Sequence, residues 1–126
     1  MAKRGIDDAI GFAAVTAVLD ETDTSRDTLA TAARYLLQLL AEKAPGHTVE
    51  VRVPPFGAVQ VVEGPRHTRG TPPNVIETDA STWVQLASGR LSWADADRAA
   101  LISASGTRAT LADLLPVLPH SFGLGE

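Results

Sequence analysis

Between Ile6 and Asp20, apolar residues recur at Ile6, Ala9, Ile10, Ala13 and Ala17, the three-and-four spacing of an amphipathic helix, with Gly11 as a weak point inside it. The polar stretch DETDTSRD ends that pattern. Thr24 and Asp27 then make an approximate capping box ahead of a second helix, whose buried stripe is Leu29, Ala32, Ala33, Leu36, Leu37, Leu40 and Ala44. Pro45-Gly46 stops it. The period next changes from helical to alternating: Val49, Val51 and Val53 share one face and Thr48, Glu50 and Arg52 the other, as in a strand with one covered and one wet side. PPFG turns the chain into a second strand over Ala58 to Glu63, and a third is expected at Asn74 to Thr78.

Helix signals return after Thr78. Asp79 can cap ASTWVQLAS and Gly89 can close it in the left-handed conformation. Ser92 with Asp95 repeats the capping-box spacing before WADADRAAL. A short strand is expected at Ile102 to Ser105, turned by Gly106. Thr110 with Asp113 then opens a last helix over LADLLPVL, held to a couple of turns by Pro116 and Pro119. The order predicts an α+β domain, a small mixed sheet with helices on one face. It occupies residues 1–126 as a single unit, with an N-terminal helix and loop over 1–24 and a loose tail over 119–126.

Composition fits that picture and removes several functions. With 44% hydrophobic and 21% charged residues in 126, the chain has the make-up of a globular domain able to bury a core. A formal charge of −4 withholds the electrostatic drive that nucleic-acid binding requires. The absence of cysteine excludes disulfides, thiolate metal sites and cysteine nucleophiles. No long apolar run follows the basic start MAKR, so neither a signal peptide nor an integral membrane segment is expected, and a cytoplasmic location is. Aromatics are only 5% of the chain, so any cavity would be walled mainly by aliphatic groups.

Catalytic and metal motifs are not found. His47, His67 and His120 lie far apart at no metal spacing, and SASG at 103–106 lacks the first glycine of a nucleophile elbow. Two constellations stand out instead. In the long connection RHTRGTPPN, Arg66 and Arg69 can grip a carboxylate or phosphate through their guanidinium forks, with His67 tuning the site by pH. The plain alternative is that these arginines answer Glu63 and Glu77 while Pro72-Pro73 stiffens the loop. Trp83 and Trp93 begin short helices near Val84, Leu86, Leu91 and Leu101. They serve either as core or as walls of an apolar pocket.

The segment NVIETDASTWVQLASGRLSWADADRAALISASG, continued by LADLLPVL, resembles the second half of a sterol carrier protein 2 domain, through Asp79, LASGRL, WADADRAAL and ISASG. VRVPPFGAVQVVEGPRHTRGTPPNVIETD is similar to the compact actinobacterial, bacterial sterol-carrier-like branch, and the resemblance spans Leu29 to Leu118. It implies an SCP2-like sheet of about five strands and a non-enzymatic carrier of fatty acid, acyl-CoA or sterol-like cargo in an apolar tunnel. No cofactor or metal is implied. Under that resemblance Trp83, Leu86, Leu91, Trp93, Leu101, Leu111, Leu114 and Leu115 become tunnel walls, and Arg66, His67 and Arg69 meet an anionic head group. Domains of this kind also end the thiol-dependent maleylpyruvate isomerases, which implies the alternative of an accessory module that binds a protein partner or forms a homodimer.

Overall fold

The two helices expected first are α1 (Asp8–Leu19) and α2 (Arg26–Lys43), capped at their starts by Asp7 and Ser25. The cap of α2 is Ser25 and not Thr24: its hydroxyl accepts from the Thr28 amide, and the carboxylate of Asp23 receives both the Ser25 amide and the Thr28 hydroxyl. The computed structural model describes residues 5–64 and 73–118. The stripe expected on α2 is its buried face, with Ala30 and Tyr35 added and Leu29 and Ala44 at its half-buried edges.

The expected face of α1 is corrected. Ala9, Ile10 and Ala13 are exposed, and the helix buries Gly11, Ala14 and Val15. The reason is contact distance. The Tyr35 ring of α2 lies so close to Gly11 that a Cβ there would collide with three ring carbons, so only glycine lets the two helices meet along this line. Three further contacts hold the pair: Tyr35 donates its hydroxyl proton to Asp8 Oδ1 at 2.6 Å, and the Gln38 amide both accepts from Ile6 N at 2.8 Å and donates to Ile6 O at 3.1 Å.

The strands are β1 (Pro45–Val53), β2 (Gly57–Val61), β3 (Asn74–Thr78) and β4 (Ile102–Ser105), arranged β2-β1-β3-β4. β1 pairs antiparallel with β2 and parallel with β3, which pairs antiparallel with β4, so the sheet is mixed. Among the described residues it has four strands, against the five or so that the resemblance implies. Val49, Val51, Val53, Val61 and Ile76 are buried beneath the helices. Glu50, Arg52, Gln60 and Glu77 take the opposite face, where Arg52 Nε donates to Glu50 Oε2 at 2.7 Å.

α3 (Ala80–Ser88) and α4 (Trp93–Arg98) form as expected from their caps. Asp79 Oδ1 accepts from the Thr82 amide at 2.8 Å, Gly89 closes α3 at φ 90°, and the Ser92 hydroxyl accepts from the Asp95 amide at 3.1 Å. The last helix is corrected to a single turn over 112–114. Thr110 Oγ1 accepts from the Ala112 amide, two residues on, so the expected box does not form. Pro116 disfavours helical geometry at Leu115 and has no amide to donate, so the turn cannot propagate. The segment beyond it docks by other bonds: the Lys43 ammonium donates to the Leu114 and Pro116 carbonyls, and the Val117 and Leu118 amides to that of Ala87.

Candidate functional site

Three of the residues expected as tunnel walls lie in the layer between helices and sheet. Trp83 is 0% exposed and Leu86 and Leu111 are each 1% exposed, so no gap the size of a water molecule runs along them. The Trp83 indole donates to the Ala33 carbonyl at 3.1 Å, which fixes the ring across α2. Leu91, Trp93, Leu114 and Leu115 are half-buried and pack against the same cluster from its solvent side. Leu101 stands apart from these seven. It is 41% exposed and lines a shallow cleft with Pro54, Glu77 and Asp79 at the end of β3. Arg66, His67 and Arg69 lie outside the described residues.

The deeper open space is elsewhere. A cleft of about 500 Å³ lies where the end of α1, the loop after it, the start of α2 and the outer side of α3 meet. Val18 and Leu19 of α1 and Leu29 of α2 supply its apolar walls. Ser81 and Gln85 enter from α3, on the exposed face opposite to Trp83 and Leu86. Glu21 and Thr24 come from the α1–α2 loop, and Arg90 from the turn after α3. Alternating apolar and polar positions do not reveal this cleft, because its walls come from segments separated by up to about seventy residues. The available signal is the apolar pair Val18-Leu19 at the end of α1, next to the polar stretch that holds Glu21 and Thr24.

The backbone at Glu21 is unusual. It sits at φ 61°, in the left-handed region that a chain leaving a helix normally assigns to glycine or asparagine. Its amide closes on the Val18 carbonyl at 3.2 Å, and the Thr22 and Asp23 amides close on that of Ala17. Neither the Glu21 carboxylate nor the Arg90 guanidinium makes an ion pair or a side-chain hydrogen bond among the described residues. No group of three His, Asp or Glu side chains that could hold a metal converges among those residues, and none of the described helices is long and apolar enough to cross a membrane.

Residues 25–117 match the protein-family model described as bacterial SCP ortholog. The match takes in α2 through the final turn and leaves α1 outside. No curated protein matches the chain.

Proposed function

As the chain belongs to the bacterial SCP ortholog family, we propose that it is a non-enzymatic binding or carrier protein for a lipid or another apolar small molecule. The observation that supports this reading is the hydrophobic cluster under α3, which continues from fully buried Trp83, Leu86 and Leu111 to half-buried Leu91, Trp93, Leu114 and Leu115. The cargo's apolar part takes the place of the Leu111, Leu114 and Leu115 side chains against Trp83 and Leu86 when the segment 111–118 moves away. That segment is one turn and an irregular strap and not a helix: Leu111 and Leu118 are buried in the cluster, and backbone bonds to Lys43 and Ala87 tie down the rest. Leu101 extends the wall toward the end of β3, and Arg66, His67 and Arg69 meet an anionic head group where the cargo has one.

The test is native mass spectrometry of gently purified protein, followed by solvent extraction of whatever is released. A reproducible apolar adduct is expected. A bare protein that also refuses fatty acids, acyl-CoA esters and sterols overturns the reading.

One observation favours a second reading, that of an interaction module for a second copy or a protein partner. Ile10 is 59% exposed on α1, flanked by exposed Ala9 and Ala13, which makes an apolar face outside the family-matched region. Ile10→Lys shifts a dimer to monomer in sedimentation equilibrium if that face is the interface, and leaves the mass unchanged if it is not.

A further inference from the structure

The cleft between α1, α2 and α3 is lined by opposite charges that come from different segments, Glu21 from the α1–α2 loop and Arg90 from the turn after α3. The loop after α1 carries Asp20, Glu21 and Asp23, and of these Glu21 lines the space, its carboxylate unpaired among the described residues. The Asp23 carboxylate is committed to the Ser25 amide and the Thr28 hydroxyl, so it serves the cap of α2. α3 and the turn after it contribute Ser81, Gln85 and Arg90, and the Arg90 guanidinium makes no ion pair or side-chain hydrogen bond among the described residues. These two groups do not neutralise one another: no Glu21–Arg90 ion pair forms. Between them, Val18, Leu19 and Leu29 offer apolar wall in a volume suited to a small molecule.

A simple anion would satisfy Arg90 and be repelled by the loop. A simple cation would do the reverse. A molecule bearing both charges is attracted at both ends, and an apolar substituent on it gains the aliphatic wall. The conformation of Glu21 points the same way. A side chain stands in a backbone region where glycine would rest more easily, at a position whose carboxylate has no partner among the described residues.

We infer that this cleft binds a small zwitterion with one apolar substituent, held between Glu21 and Arg90 with its apolar group against Val18, Leu19 and Leu29. That chemistry is shared by an apolar α-amino acid and by a short-chain phosphocholine amphiphile. The inference does not rest on the carrier reading, because the cleft lies on the Ser81–Gln85 side of α3 and not under Trp83 and Leu86.

The experiment is a backbone-amide NMR titration of the full chain with four probes: phenylalanine, octylphosphocholine, octanoate and octylammonium. Saturable shifts at Val18, Thr24, Gln85 and Arg90 are expected with at least one of the first two, at affinity about tenfold above either singly charged probe. Saturation by phenylalanine alone identifies an amino-acid ligand, and saturation by octylphosphocholine alone identifies an amphiphile head group. Glu21→Gln and Arg90→Gln each weaken the zwitterion about tenfold, and Glu21→Gln strengthens octanoate. Both positions are exposed, so the variants remain folded and are checked by the unchanged amide spectrum away from the cleft. Octanoate binding as tightly as the zwitterions, wild-type zwitterion affinity in either variant, or no saturation by either zwitterion overturns the inference.

Discussion

Replacing Gly11 by alanine sets two effects against each other, and the structure decides the sign. In an ordinary helix interior, Gly→Ala stabilises by about 1 kcal/mol, through the backbone entropy that glycine loses on folding. Here the new methyl is directed into the Tyr35 ring. That ring has no easy way aside: it is 0% exposed, its hydroxyl is tied to Asp8 at 2.6 Å, and it meets Phe12 edge-on at 5.6 Å between centroids. Adding a carbon to so closed a contact costs about 1–3 kcal/mol. Because the colliding atoms belong to a rigid ring held at its far end, the cost falls in the upper part of that range, and net destabilisation of about 1–2 kcal/mol is expected. With a urea slope of about 2 kcal/mol per M, the middle of the usual range for small domains, the unfolding midpoint falls by roughly 0.5–1 M. Ala13→Gly serves as the control. It lies on the exposed side of α1 and loses only the helix-propensity difference of about 1 kcal/mol. A Gly11→Ala variant more stable than wild type refutes the reasoning, since α1 would then not be seated on Tyr35 and the cleft would lose the wall that Val18 and Leu19 provide.

Three further predictions follow from the same contacts. Tyr35 is the chain's one tyrosine, and burial, followed by its bond to Asp8, holds the phenol well above its ordinary value of 10.0. The unfolded chain therefore releases that proton first, so stability declines as pH rises beyond about 10; equilibrium unfolding of wild type and Tyr35→Phe shows the decline reduced in the variant, and an equal decline in both counts against it. Leu86→Trp overpacks a position only 1% exposed, costs about 1–3 kcal/mol by chemical denaturation, and abolishes binding of a fluorescent fatty acid; undiminished binding by the folded variant excludes the layer under α3 as the cargo site. Glu21→Gly relieves a left-handed residue and raises stability by about 1 kcal/mol in thermal unfolding, whereas a lowered midpoint shows that the side chain supports the turn.

The legible parts of this chain are those whose physics is local. Asp79 and Gly89 bound α3, and Ser92 starts α4, because capping joins a side chain to an amide three residues away or sets a single φ value. Val49, Val51 and Val53 reveal both a strand and its covered face, because alternation is a property of the strand itself. Thr110 and Asp113 had the same local spacing and produced no helix, since Pro116 cut the segment below the length at which a box has a helix to cap. At the candidate site, sequence alone nominated the aliphatic and tryptophan positions of the second half, and residues 25–117 match the bacterial SCP ortholog family.

Tertiary structure decided what depends on distant partners. Trp83 and Leu101 look alike as apolar positions near short helices, yet one is sealed against α2 and the other is 41% exposed at the end of β3. On α1, where nearly every position is apolar, periodicity could not select a face; the choice was made by Tyr35, more than twenty residues away, which admits only a glycine against its ring. That choice turns Val18 and Leu19 toward α3 and opens the cleft between Glu21 and Arg90. Pattern along a chain records what each residue prefers as a neighbour class, and which neighbour it receives is set by contacts that close only when the chain folds.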